Sequence, residues 1–221
     1  MSHRCRVVVL ISGSGSNLQT LIDGAADGRL PIDIVTVISN RADAYGLQRA
    51  ARAAIPTRVI SHRDYPDREH YDQALAALID DYQPDLVVLA GFMRILSEAF
   101  VDRYHGRMLN IHPSLLPLFR GLHTHQRAIE AGHGEHGCSV HFVTPDLDAG
   151  PVIIQARVPV LPDDDEASLA RRVQSQEHRI YPLAVKWFAQ GRLRLEADGI
   201  ALDGRLLHEP VRVRPDESLP D

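Results

Sequence analysis

The stretch Leu109-Asn110-Ile111-His112-Pro113 carries two side chains able to work on a polar bond. Asn110 and His112 are two apart, so on an extended segment both point to the same face. An imidazole acts as general acid or base near neutral pH, and an amide N–H can donate to an oxygen that is gaining negative charge. Pro113 then ends the strand. A third group of suitable type lies in Asp146-Leu147-Asp148-Ala149-Gly150-Pro151, where either aspartate, just before a glycine turn, can supply a carboxylate that stabilises an imidazolium. Turn aspartates also serve turn geometry, so spacing alone leaves a pairing with His112 open.

A different chemistry is written in Ser12-Gly13-Ser14-Gly15-Ser16-Asn17, which joins an apolar run to the helical pattern LQTLID. A glycine-rich loop opening a helix presents free N–H groups and partial positive charge, the setting for a phosphate. Ser16 and Asn17 are expected to cap the helix and to bond the anion. A dinucleotide fingerprint would place glycine at position 18, where Leu18 stands, and an acid where Ser39-Asn40 stands; the ATP-type loop needs a lysine that is absent. The loop therefore reads as a cradle that positions a phosphate without transferring it. Further along, Gly91, Phe92, Met93, Arg94, Ile95 and Leu96 follow another apolar run, and apolar residues beside one arginine suit a flat aromatic ligand with a polar edge. Six histidines between His112 and His141 raise the question of zinc, but neither HExxH nor paired-cysteine spacing occurs, and no metal is expected.

These groups need a scaffold that brings strand ends together. Apolar runs at 6–11, 33–39, 57–60, 85–91, 107–112, 138–144 and 151–160 alternate with helical patterns. The first four are continuous, as in strands buried on both faces of a parallel sheet. The order β then α predicts right-handed crossovers and a doubly wound, mostly parallel sheet with helices on both faces. Tyr71, Leu75, Leu78 and Tyr82 form one helical stripe, and a second helical pattern runs from Asp165 to Gln190, where Pro182 is expected to kink or divide it. Residues 192–207 read as two short strands about an Asp-Gly turn. No internal boundary is visible, so residues 1–207 are expected to form a single domain, followed by a polar tail at 208–221 whose last residues, RPDESLPD, are expected to fray. Ligands of open α/β sheets bind beyond the carboxyl ends of the strands, where all the segments above fall.

Bulk properties narrow the function. The chain has 221 residues, 44% hydrophobic and 24% charged, with a formal net charge of -5. That balance suits a compact enzyme-sized domain and lacks the basic footprint of a nucleic-acid or anionic-membrane binder. No apolar run reaches the roughly 20 residues that span a bilayer. Cys5 and Cys138 are too few for a disulfide framework, and the absence of a signal-peptide pattern adds to the expectation of a cytoplasmic protein with reduced, buried thiols.

Taken together, LISGSGSNLQ, VVLAGFMRIL, LNIHPSLLP with GLHTH, EHGCSVHFVTPDLDAGPVI and RVQSQEHRIYP resemble the phosphoribosylglycinamide formyltransferase family, folate-dependent enzymes of purine synthesis. The resemblance runs from the first apolar stretch to WFAQGRL and implies a Rossmann-like formyltransferase fold. It implies Asn110, His112 and Asp148 as the catalytic trio, and Gly15, Ser16, Asn17 and Glu177 as the glycinamide ribonucleotide site, Glu177 meeting the glycyl end. It further implies that Arg68, Met93, Arg94, Ile95, Leu96, Asn110, His141, Val143 and Thr144 hold 10-formyltetrahydrofolate. Small-molecule partners are implied, with no nucleic acid and no membrane, in a monomer or homodimer. Ser14 departs from the asparagine common in relatives. Two similar families share the trio. Formyltetrahydrofolate deformylases usually carry a regulatory domain ahead of the first strand, which here starts at Arg6; methionyl-tRNA formyltransferases usually add a C-terminal domain and a basic surface. A non-catalytic nucleotide-binding module with a structural His112 is the remaining alternative.

Overall fold

The structure, a computed structural model, describes residues 4–221. Two compact units divide the chain, one ending at Asn110 and the other beginning at Ile111. The boundary falls inside a strand.

In the first unit, β1 (Cys5–Ile11) leads to α1 (Ser16–Ala26), β2 (Ile32–Ser39), α2 (Tyr45–Arg52), β3 (Thr57–Val59), α3 (Arg68–Asp80), β4 (Leu86–Leu89), α4 (Glu98–Arg103) and β5 (Met108–His112). The strand order is β3-β2-β1-β4-β5, every pair parallel. The chain builds outward from β1 in one direction and then restarts on its other side with β4, so the order reverses between β1 and β4. At such a point the loops leaving the two strands diverge and open a crevice. The continuous Val/Ile/Leu runs explain the interior of the sheet: Val7 to Ile11 and Leu86 to Val88 have no exposed surface. β3 departs from the expectation of burial on both faces. It is the edge strand, Val59 is 49% exposed, and Arg58 alternates with it in a strand too short to need a second cover.

The second unit takes the end of β5 and continues with α5 (Thr124–Glu130), β6 (Glu135–Phe142), β7 (Val152–Pro159) and α6 (Glu166–Ala189). β6 and β7 are antiparallel, which makes the α/β sheet mixed, though mostly parallel. α6 continues through Pro182 as one helix, so the proline does not divide it; its start is secured by Asp165, which accepts from the Ser168 amide at 2.7 Å while the Ser168 hydroxyl accepts from the Asp165 amide. Residues 192–207 hold three strands, β8 (Leu193–Glu196), β9 (Gly199–Leu202) and β10 (Arg205–Leu206), because a second turn at Asp203-Gly204, with φ of 53° and 73°, adds a strand to the expected two. Nor do the last residues fray, since the carbonyls of Arg214, Pro215 and Glu217 accept from Arg179 and that of Asp221 accepts from Trp187. β11 (Val211–Val213) pairs in parallel with β7, from Val211 against Ile154 to Val213 against Ala156.

One helical stripe is rotated from its expected position. α3 buries Tyr71, Asp72, Leu75, Ala76 and Ile79, while Leu78 is half-buried and Tyr82 lies past the helix end. Asp72 explains the rotation, since it accepts from the Ser97 amide at 2.5 Å and is only 2% exposed. Cys5 and Cys138 are buried and free. Burial, with the nearby Asp85 charge, pushes the Cys5 thiol up to about 12; burial and then Glu177 drive Cys138 well above its ordinary value.

Candidate active site

Both loops at the reversal point belong to the first unit. After β1, Ser12 to Gly15 turn the chain into α1, and Gly15 takes φ 70°, a left-handed conformation that glycine adopts freely. Gly15 is itself the residue capping α1, without a side-chain bond; Ser16 and Asn17 therefore stand in the first turn and not at the cap, a correction to the expected capping role. The loop is braced from α2. The Gly46 amide donates to the Gly13 carbonyl at 3.0 Å, and Arg49 donates to the Ser14 carbonyl at 2.8 Å while its guanidinium covers the Tyr45 ring. The carbonyl oxygens of Gly13 and Ser14, which would repel an anion, are thus engaged, and the loop leads straight into the N-terminal end of α1, the end of a helix that favours an anion. A β-carbon on Gly15 would lie 2.7 Å from Gly46 Cα, so the two backbones touch.

The loop after β4 is fastened at both ends. Ser12 Oγ accepts from the Met93 amide at 2.8 Å and donates to Asn40 Oδ1 at 2.6 Å, so one hydroxyl links β1, the segment after β2 and this loop. At the far end the Ser97 amide is held by Asp72. Between these points Met93 and Ile95 are 65% and 56% exposed, whereas Leu96 is buried. Arg94 lies over the Tyr71 ring at 5.8 Å, and its Nε is buried without a hydrogen-bond partner. Arg68 opens α3, half-exposed and 3.3 Å from Glu69. Asn110 is half-buried on β5, opposite Leu89 in the ladder.

The second unit assembles the titratable groups. His112, at the end of β5, has Nδ1 3.4 Å from Asp148 Oδ2, with side-chain exposures of 7% and 9%. Its Nε2 lies 3.0 Å from the Phe119 carbonyl. A neutral imidazole has one N–H, so a ring facing an acceptor on each side satisfies both only as the imidazolium. Asp148 occupies a turn at φ 48°, a conformation aspartate tolerates better than most residues, and its Oδ2 also accepts from the Gly121 amide at 2.9 Å. His141 stands 3.9 Å from the other oxygen of Asp148. Burial lowers the pKa of His141, and its Nδ1 faces the Phe142 carbonyl at 2.8 Å. With Nδ1 turned to that carbonyl, His141 presents Nε2 to Oδ1 of Asp148, while His112 and Gly121 share Oδ2. Gly150 completes the turn, since a β-carbon there would sit 1.8 Å from the Phe142 carbonyl oxygen. Val143 and Thr144 follow β6, half-buried. Glu177 lies on α6, where its charge reaches Cys138 of β6.

The structure thus brings His112, Asp148 and His141 together, and separately joins the Gly15 loop to the Met93 loop. Residues missed by sequence reasoning include Ser12 as a hub, Gly46 and Arg49 as braces, and the Gly121 amide and Phe119 carbonyl that flank the His112–Asp148 pair. Ser12 carried a signal, being polar directly after a buried run; the backbone groups carry none. His125 and His136 face each other at 3.2 Å, but among the described residues no cluster of three or more possible metal ligands occurs.

The chain matches the formyl transferase family over residues 5–185 and belongs to it. Within that class its likeness is to the phosphoribosylglycinamide formyltransferases. It is 56% identical to that enzyme of Escherichia coli K12 over 201 residues, covering 91% of this chain and 95% of the relative. Identity to the Haemophilus influenzae enzyme is 48% over 202 residues, with the same coverage of both chains. The solved phosphoribosylglycinamide formyltransferase of Coxiella burnetii superimposes with a TM-score of 0.90 at 53% identity, covering 95% of this chain and 99% of that one.

Proposed function

We propose that the chain transfers the formyl group of 10-formyltetrahydrofolate to the amine of glycinamide ribonucleotide, giving formylglycinamide ribonucleotide and tetrahydrofolate in purine synthesis. The observation that carries the assignment of its acid is the buried 3.4 Å approach of His112 to Asp148. The family and the 56% identical relative support the substrates. In this reading the amides at the start of α1 hold the ribonucleotide phosphate, with Gly15, Ser16 and Asn17. Arg68, Met93 to Leu96, Asn110, His141, Val143 and Thr144 hold the folate, and Glu177 meets the glycyl end. Residues 1–207 act as one formyltransferase domain, as a monomer or homodimer in the cytoplasm.

The glycinamide amine attacks the formyl carbon, forming the new C–N bond and a tetrahedral intermediate. Its oxyanion accepts from the Asn110 amide and the His112 imidazolium. Collapse breaks the bond to N10 of the folate, a poor leaving group until protonated, and His112 supplies that proton directly or through water. Asp148 stabilises the imidazolium and takes part in returning the proton lost by the amine. The balance is one amine proton delivered to N10, with no covalent enzyme intermediate.

The test supplies 10-formyltetrahydrofolate with and without glycinamide ribonucleotide and follows tetrahydrofolate release. Release that depends on the ribonucleotide is expected. Equal release into water would place the chain with the deformylases, and no release would leave a binding module.

A further inference from the structure

The buried stripe of α6 contains a polar residue. Leu169, Val173, Ile180, Ala184 and Trp187 recur at helical spacing with at most 1% exposure, and Gln176 takes the place between Val173 and Ile180 at 5%. A buried amide requires partners. Its Nε2 donates to Ser175 Oγ at 3.2 Å, and its Oε1 accepts from Arg179 Nη1 at 2.7 Å. The same guanidinium donates to the carbonyls of Arg214 at 3.1 Å, Pro215 at 3.0 Å and Glu217. Arg179 therefore joins the buried amide beside Glu177 to three backbone carbonyls of the segment that follows β11.

That segment is anchored along its length. β11 fixes its start on β7, and the Asp221 carbonyl accepts from Trp187 Nε1 at 3.1 Å and Arg192 at 2.9 Å. Helix α6 is thus held by its apolar stripe and, in addition, strapped at Arg179 and again two turns later at Trp187. What such a strap controls is the roll of the helix about its axis. With side chains reaching about 5–6 Å from the axis, a roll of roughly 20° displaces a carboxylate by about 2 Å, enough to lose a hydrogen bond.

We propose that Arg179 and residues 211–221 act as a positioning device for Glu177, fixing the rotation of α6 so that the carboxylate meets the glycyl end of the ribonucleotide. This rests on the reading of Glu177 given above. Arg179 does not touch the substrate in this scheme; it acts through Gln176 and the helix, and its effect is specific to the ribonucleotide.

The experiment measures kcat and both KM values for the full chain with Arg179→Met, Arg179→Lys and Glu177→Gln, well below each variant's melting temperature. The expected result is a KM for glycinamide ribonucleotide raised roughly tenfold in R179M, about 1.4 kcal/mol, with KM for 10-formyltetrahydrofolate unchanged within about twofold. R179K should fall between R179M and the parent, since an ammonium keeps the charge but cannot span four acceptors as the guanidinium fork does; it also carries the test should R179M not fold. Unchanged ribonucleotide KM in R179K and R179M, or an equal rise in both KM values, overturns the strap. If E177Q raises the ribonucleotide KM while the Arg179 variants do not, the strap alone is wrong. If E177Q leaves it unchanged, the role of Glu177 falls and the strap with it.

Discussion

The carboxylate of Asp148 stands 3.4 Å from Nδ1 of His112, and the Gly121 amide, 2.9 Å from the same oxygen, holds it in that direction. The contact, with both side chains under a tenth exposed, fixes the direction in which the imidazole faces.

Replacing His112 by alanine should therefore remove general acid catalysis and lower kcat by roughly 10² to 10⁴ while altering substrate KM values much less. Asp148→Asn, which keeps the shape and removes the charge, should lower kcat in the same direction. Steady-state kinetics decide the point, and unchanged turnover in H112A would take His112 out of the reaction.

Gly15→Ala should weaken binding through the phosphate. The added β-carbon falls 2.7 Å from Gly46 Cα and must move the loop that presents the α1 amides. We expect a higher KM for glycinamide ribonucleotide and no comparable loss for the dephosphorylated substrate analogue. Equal losses for the two would show that the loop does not act on the phosphate.

His136 should make the fold sensitive to acid. It is 1% exposed, and burial, aided by the neighbouring His125, lowers its pKa to about 4. Below the unfolded value near 6.5 the unfolded chain takes up a proton that the folded chain refuses. Stability from this residue is then complete above about pH 6.5 and is lost as the pH falls toward 4. Melting temperatures across that range should drop less steeply in His136→Gln than in the parent; parallel curves would rule out His136 as the source.

At the start of α6, Asp164 accepts from both guanidinium nitrogens of Arg172, at 2.5 and 2.8 Å, and from Ser168 Oγ and the Leu161 amide. These donors, Arg172 foremost, hold its carboxyl well below the usual carboxylate range. The stabilisation is present above the unfolded value near 3.9 and disappears only as the pH falls through the lower folded value. Asp164→Asn should cost about 1.5–3 kcal/mol at neutral pH, the range for hydrogen bonds to charged groups, measurable by urea denaturation. A loss under about 0.5 kcal/mol would mean that the pair behaves as an ordinary surface ion pair.

The sequence disclosed those parts of the molecule whose physics is local. Continuous runs such as RVVVLI and DLVVL announce buried strands because no polar residue interrupts them, and the loop at Gly15 is legible because glycine and a following helix have few other uses. β10 and β11 escaped notice because they are two and three residues long; β10 pairs locally with β9 across a second turn, whereas the pairing of β11 depends on β7, distant in the chain. The rotation of α3 escaped for a related reason: a carboxylate reads as solvent-facing, and only the Ser97 amide makes burial of Asp72 tolerable. At the site, the residue types were readable and the pairing was not. Asp146 and Asp148 look alike in the chain, and the choice of Asp148 depends on a left-handed turn and a backbone amide that no spacing rule anticipates.

The contact between Gly15 and Gly46 has an uneven consequence for how these positions can change. A β-carbon on residue 15 collides with the α-carbon of residue 46, which every amino acid possesses, so no partner substitution at 46 makes room for it. A β-carbon on residue 46 instead meets the tip of Ile11 at 2.5 Å, an atom that a smaller side chain would lack. A library randomising all three positions and selected for the parent's affinity for the ribonucleotide should return glycine at 15 in every clone, while alanine at 46 appears only in company with a trimmed residue 11.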